Sequence, residues 1–187
     1  MSMDDQEKEE LLLLEYIKNF KMHYKLLLRR YRRYKQIYRI DNTDIDQITY
    51  FDMIIVQLRA MCIESPGLKD NFTAQNLLHR LGRDDLSNKI DAMLDESLIG
   101  DGDFTIRKSL KTVADKLVCH YDYFDIRDGL LSICETIEGN LQNPYVNENL
   151  DHIMDVLMSC VKDGIGLGLD DIGTEEDIRH EAFSRDL

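Results

Sequence analysis

The scarcity of residues that break helices constrains this chain more than any other feature of its sequence. Only 2 prolines and 10 glycines occur in 187 residues. These are the two residue types that cost most inside a helix, so long stretches without them favour helical structure. The clearest breaks are SPG at 65–67, Gly82, IGDGD at 99–103, QNPY at 142–145 and the segment after 163. We therefore predict an all-α fold with short connections and no strand.

The first segment carries large apolar side chains at helical spacing. They recur every three or four residues and are Leu12, Tyr16, Phe20, Tyr24, Leu27, Tyr31, Tyr34 and Tyr38. This repeat is that of one face of a single long helix over about 4–39. Acidic residues (DDQEKEE) crowd the start of the segment and basic ones (RRYRRYK) its end, as the helix dipole favours.

Six further segments show the same kind of periodicity. They are 44–64, 73–81, 84–98, 104–122, 126–141 and 146–163. The sum predicts an up-and-down helical bundle of five to seven helices. We assign residues 1–163 to one bundle domain. Residues 164–187 are predicted to be a flexible acidic C-terminal segment with room for one short helix.

Charge and composition restrict the function classes. The net charge of −13 repels phosphate backbones and anionic membranes, which disfavours RNA as a partner. The four cysteines form no CxxC pair, and no apolar run approaches the roughly 20 residues needed to cross a bilayer. The first residues, MSMDDQEKEE, are unlike a signal peptide. We predict a cytoplasmic protein with no membrane contact, no metal site and no cofactor.

One basic tract, KLLLRRYRRYKQIYR at 25–39, stands out against this acidic background. Arginines interleaved with tyrosines could bind RNA through phosphate contacts and base stacking. Alternatively, the tyrosines pack inward while the arginines face acidic neighbours, of which the chain has 36. A third interpretation is a seam for a partner helix, because Tyr24, Tyr31 and Tyr38 follow heptad spacing.

The stretch DKLVCHYD at 115–122 places a histidine inside an apparently ordinary amphipathic helix. Lys116 and His120 are four residues apart and so share a face, whereas Asp115 and Asp122 lie on an adjacent face. Imidazole suits proton transfer near neutral pH, and a nearby carboxylate can orient it. The competing interpretation is a structural histidine at a helix–helix seam.

The segment IRKSLKTVADKLVCHYD resembles the signature helix of the HEPN superfamily, especially its abortive-infection-like members. In that family a helix carries an arginine, four to six intervening residues, and then a histidine that an acidic residue often follows. The resemblance implies a helical bundle, a homodimer, and a setting in bacterial phage defence, toxin–antitoxin systems or mobile elements. In members that cut RNA, it implies that the arginine and histidine of two subunits converge on the scissile phosphate.

This chain departs from the family pattern at the arginine. The three positions that would hold it are occupied by Val113, Ala114 and Asp115. The nearest earlier arginine of that helix, Arg107, is about 20 Å from His120 by helical rise. Arg59, on the second predicted helix, is the other source of a guanidinium. A carboxylate in the arginine position would repel a phosphate.

Three functions follow as expectations. The preferred one is a non-catalytic helical interaction protein that forms a homodimer and binds a protein partner. The first alternative is a HEPN-type, metal-independent ribonuclease that uses His120 with Arg59 or Arg107. The second alternative is a helical bundle that binds a small molecule or nucleotide near His120. The candidate binding residues are Asp115, Lys116, His120 and Asp122.

Overall fold

The computed structural model describes residues 3–40, 45–63, 73–115 and 144–168. Its elements, in chain order, are α1 (Met3–Ile40), α2 (Ile45–Cys62), α3 (Ala74–Arg80), α4 (Asp84–Leu94), β1 (Ser97–Leu98), β2 (Asp101–Thr105), α5 (Ile106–Val113) and α6 (Pro144–Ile165). The prediction of an all-α helical bundle is confirmed. None of the helices in these ranges is long and apolar enough to cross a membrane.

The long first helix forms as its periodicity predicts. With 38 residues, α1 is about 57 Å long at 1.5 Å per residue. Most of the predicted stripe is buried, with Phe20, Tyr24 and Tyr34 essentially inaccessible to solvent. Leu12 is an exception and is 60% exposed. Its neighbour Leu13 packs against the core in that turn instead, so the core-facing stripe starts one residue later.

The core lies where α1 packs along α2 and where α4 packs on α3 and α6. Its innermost side chains include Leu27, Ile54, Leu58, Leu77, Ile90, Met154 and Leu157. Burying a leucine or isoleucine completely stabilises the fold by about 1.5–3 kcal/mol. At Gly164, α6 approaches α3 so closely that an added Cβ would overlap the Leu78 side chain.

Local signals account for both ends of α3, which was predicted at 73–81. Thr73 is its N-cap, and the hydroxyl accepts a hydrogen bond from the Asn76 amide at 3.2 Å. At the other end, Gly82 adopts a φ of 69°. The Gly82 amide donates to His79 O at 3.0 Å and the Arg83 amide to Leu78 O at 2.8 Å. These two bonds form a Schellman motif, which explains why a glycine ends the helix.

The expectation of no strand is wrong between residues 97 and 105. The helix predicted over 84–98 ends at Leu94, and β1 then pairs antiparallel with β2. Gly100 has a φ of 84°, which permits the tight turn between the strands. The Asn149 amide also holds this turn: its oxygen accepts from Ile99 N at 2.9 Å, and its nitrogen donates to Ile99 O at 3.0 Å. The contact that holds the turn comes from Asn149 on α6, which is distant in the sequence. The local sequence of the hairpin therefore indicates only a break between helices.

The remaining boundaries differ from the predictions by a few residues. Helix α5 begins at Ile106 rather than 104, because the Thr105 hydroxyl caps it by accepting from Lys108 N at 3.2 Å. A π-helical turn follows at 114–115. Helix α6 continues to Ile165, beyond the predicted end of the domain, and Leu167 is buried. The predicted remainder of the 104–122 helix, the 126–141 helix and positions 169–187 lie outside the described residues.

Candidate functional site

The described residues include only part of the site that the sequence predicts. Asp115 and the two candidate arginines, Arg59 and Arg107, belong to the described ranges. Three other predicted site residues lie outside those ranges: Lys116, His120 and Asp122. The structure therefore shows the contacts of Asp115, Arg59 and Arg107.

Arg59 and Asp115 form an ion pair between α2 and the end of α5. The Arg59 Nη2 atom lies 2.7 Å from Asp115 Oδ1, and the two side chains are 28% and 34% exposed. Arg59 belongs to the last turn of α2, where a cation also complements the helix dipole. Because the pair is partly buried, solvent and salt screen it less than they screen a surface pair. Its net contribution to stability is still roughly 1 kcal/mol or less.

The ion pair bears on the one position, Asp115, at which this chain departs from the HEPN pattern and a described arginine lies nearby. Asp115 occupies one of the positions where the resemblance to the HEPN pattern predicts an arginine, and α2 brings the Arg59 guanidinium to within 2.7 Å of its carboxylate. The guanidinium is already bound by a carboxylate, so the pair has no net charge to attract a phosphate. The sequence offered both residues separately, but no pattern links positions that lie 56 residues apart.

Arg107, the second candidate arginine, is the centre of a structural network at the start of α5. Its Nε donates to Asp95 at 2.8 Å, and its Nη2 donates to Asp91 at 3.1 Å. Burial alone would lower the pKa of Arg107, but the hydrogen bonds to Asp95 and Asp91 outweigh it and raise the pKa. Gln75 joins the network by donating to Asp91 at 3.2 Å. Arg107 therefore ties α5 to α4.

In the basic tract of 25–39, the tyrosines pack inward. Tyr34 is buried, and its hydroxyl donates to Asn147 Oδ1 at 3.0 Å. Tyr31 donates to Asp151 Oδ1 at 2.6 Å, and Lys35 binds the same carboxylate at 2.8 Å. Burial is the main reason that the pKa of Tyr34 rises to about 12. These contacts link α1 to α6, and the buried ring of Tyr34 is closed to base stacking.

The tyrosine seam for a partner helix is not formed as the heptad spacing suggested. Tyr24 lies in the core of its own chain, and Tyr31 is engaged by Asp151. Tyr38 stacks on Tyr34, with 6.2 Å between ring centroids. The heptad spacing therefore reflects packing within the bundle. Among the residues of this tract whose burial the structure describes, the exposed arginines are Arg32 and Arg33.

A cavity of about 150 Å³ lies between α2, the hairpin, α5 and α6. Its described lining is apolar apart from two residues and consists of Phe51, Ile55, Leu98, Ile106, Ser109, Leu110, Val113, Val146, Asn149, Leu150 and Ile153. The Asn149 amide is already committed to the hairpin turn. Ligand pockets for metabolites usually exceed about 300 Å³ and contain several polar groups. This cavity therefore suits a small apolar molecule better than a nucleotide.

Five large apolar side chains that the structure describes in α1 are exposed to solvent: Leu11, Leu12, Leu14, Met22 and Leu26. This exposure agrees with the sequence, in which the first helix carries more leucine and tyrosine than one small bundle needs to cover. Among the described residues, no group of three or more His, Cys, Asp or Glu side chains could hold a metal ion.

Comparisons of the chain with protein-family models, with curated proteins and with solved structures find no match.

Proposed function

We propose that this protein is a non-catalytic helical interaction protein that works as a homodimer. The observation that carries the non-catalytic part of the proposal is the ion pair between Arg59 and Asp115, whereas the homodimer rests on the resemblance. A HEPN-like cleavage site needs an arginine whose charge is free to bind the phosphate. Here the guanidinium nearest to the family's arginine position is neutralised by a carboxylate at that position.

Two further observations support the absence of catalysis. Arg107, the alternative guanidinium, is bound by Asp91 and Asp95 at the other end of α5. The net charge of −13 also opposes the approach of RNA. The HEPN resemblance, with its phage-defence or toxin–antitoxin setting, a cytoplasmic location and a protein partner, belongs to the proposal and rests on the sequence alone.

An RNA cleavage assay tests the proposal. Purified protein is expected to leave single-stranded RNA and transfer RNA intact in the presence of a metal chelator. His120→Ala is expected to change stability instead, lowering the free energy of unfolding by roughly 1–3 kcal/mol, as the loss of a structural side chain does. Robust cleavage by the wild type that disappears in a normally folded His120→Ala variant would contradict the proposal.

The second candidate function is a metal-independent ribonuclease that uses His120 and the displaced Arg59. One observation favours it: Arg59 brings a guanidinium from α2 to within 2.7 Å of the Asp115 carboxylate, a position where the HEPN pattern predicts an arginine. Arg59→Lys separates the two functions, because lysine keeps the charge but loses the planar fork that binds phosphate. A ribonuclease would lose activity in this variant, whereas a non-catalytic protein has none to lose. Arg107→Lys is the matched control, since Arg107 is held by α4.

Binding of a small molecule is supported less well than either of these. The described lining of the cavity contains no charged side chain, so a phosphate group would lack a counter-charge there. A thermal-shift assay that compares ATP with benzene tests this inference. ATP is expected to leave the melting temperature unchanged, and stabilisation by ATP that Leu110→Trp abolishes would contradict the inference.

A further inference from the structure

One face of α5 and one face of α6 line the apolar cavity of about 150 Å³. The lining positions on these two helices are Ile106, Ser109, Leu110 and Val113 on α5, and Val146, Asn149, Leu150 and Ile153 on α6. In both helices the positions share the spacing of a single helix face. Phe51 and Ile55 of α2 and Leu98 of β1 complete the described lining. The cavity therefore lies where the inward faces of three helices meet a strand.

Hydrogen bonds hold two walls of the cavity in place. Arg107 at the start of α5 donates to Asp95 at 2.8 Å and to Asp91 at 3.1 Å, at the end of α4. Asn149 on α6 binds both backbone groups of Ile99 in the hairpin. A cavity persists where its surroundings cannot relax into it. These fixed contacts therefore favour a space that stays open for a ligand over one that closes by repacking.

The described lining offers too few polar groups to hold a water molecule. A buried water needs about two to four hydrogen-bond partners. The Asn149 amide is committed, because its oxygen accepts from Ile99 N and its nitrogen donates to Ile99 O and Tyr145 O. Ser109 is the other polar residue of the described lining. A cavity of this chemistry stays dry, which favours an apolar occupant.

We propose that this cavity binds a small, uncharged, apolar molecule of about the size of benzene. A dry cavity of about 150 Å³ that is lined by leucine, isoleucine and phenylalanine accepts benzene or xenon. Binding removes the apolar surfaces of the ligand and of the lining from water, which drives association. A carboxylate or phosphate is rejected, since the described lining has no charged side chain to compensate its desolvation.

The inference goes beyond the proposed function, because it assigns the chain a ligand site rather than a protein partner. A protein that acts through a partner can also hold a small molecule between its helices. The two proposals therefore fail independently: RNA cleavage would overturn the non-catalytic role and leave the ligand site standing.

Thermal unfolding with and without benzene tests the site. At ten times its dissociation constant, benzene is expected to raise the melting temperature by about 3–6 °C. Benzoate carries a charged group on the same ring and is expected to leave the melting temperature unchanged. A melting temperature that benzene does not raise, up to its solubility limit, would overturn the proposal. Equal stabilisation by benzoate would overturn the assignment of an uncharged ligand.

Val113→Phe tests whether benzene occupies this cavity, because the larger side chain fills the space. This variant is expected to lose the stabilisation by benzene. Val156→Phe on α6 is the matched control, since both valines are partly buried but Val156 does not line the cavity. The control is expected to keep the stabilisation. A benzene effect that persists in Val113→Phe would place the ligand elsewhere and overturn the proposal.

An NMR measurement on the wild type locates the ligand whether or not the filled variant folds. Nuclear Overhauser effects from the benzene protons are expected at the methyl groups of Ile55, Ile106 and Ile153, which line the cavity. Ile17 on α1 and Ile165 at the end of α6 are the controls and are expected to show none, because they pack on the core outside the cavity. Effects that are absent from all three lining isoleucines would overturn the proposal.

Discussion

The side-chain amide of Asn149 on α6 forms two hydrogen bonds with the backbone of Ile99 at the turn of the hairpin. Asn149 Oδ1 accepts from Ile99 N at 2.9 Å, and Nδ2 donates to Ile99 O at 3.0 Å. Nδ2 also donates to Tyr145 O at 2.7 Å within its own helix. The buried side-chain amide of Asn149 thus bonds to both backbone groups of Ile99, as a paired strand would, and attaches the hairpin to α6.

Replacing this amide should destabilise the protein. Asn149→Ala removes three hydrogen bonds and leaves backbone groups of Ile99 and Tyr145 without their partner, so we expect a loss of about 2 kcal/mol. Urea unfolding followed by circular dichroism measures it. Asn88→Ala, on the exposed face of α4, is the matched control and should change little. Equal stability of the two variants would mean that the hairpin is not held by Asn149.

Gly100 should tolerate no side chain. Its φ of 84° is costly for any other residue, and an added Cβ would lie 2.6 Å from the Tyr145 ring. We expect Gly100→Ala to lower the free energy of unfolding by about 2–3 kcal/mol. Gly102→Ala in the same hairpin is the control, because nothing lies within 4 Å of its added Cβ. If Tyr145→Ala restores part of the loss, the steric contribution is separated from the backbone strain.

The structural features that the sequence predicted best are those that depend on residues close together along the chain. Spacing alone identified α1, and Gly82 marked the end of α3 because a Schellman motif needs only residues within one turn. The hairpin was missed because its turn is held by Asn149, which lies 50 residues away. The link between Arg59 and Asp115 was missed for the same reason. Contacts between distant segments depend on how the helices pack, which local periodicity does not specify.

The ion pair of Arg59 and Asp115 can be measured by a double-mutant cycle. Asp115→Ala and Arg59→Ala should each destabilise the protein, and we expect a coupling energy of about 0.5–1 kcal/mol for this partly buried pair. The bidentate pair of Arg83 and Asp85 is the comparison, and we expect it to couple more weakly because its side chains are more exposed, at 37% and 65%. Absence of coupling between Arg59 and Asp115 would remove the main support for a neutralised guanidinium.

Asp52 should make the protein less stable as the pH rises. Burial raises the pKa of this α2 carboxyl to about 6, above its ordinary value of 3.8. The folded state therefore favours the protonated acid, and the cost of the buried charge grows as the pH increases from about 4 to about 6 and then stays constant. Asn keeps the shape and never ionises, so Asp52→Asn should be more stable than the wild type at pH 8, with a gain that vanishes towards pH 4. Chemical denaturation at both pH values measures this difference, with exposed Asp103→Asn as the control. A gain independent of pH would show that the charge of Asp52 is not its source.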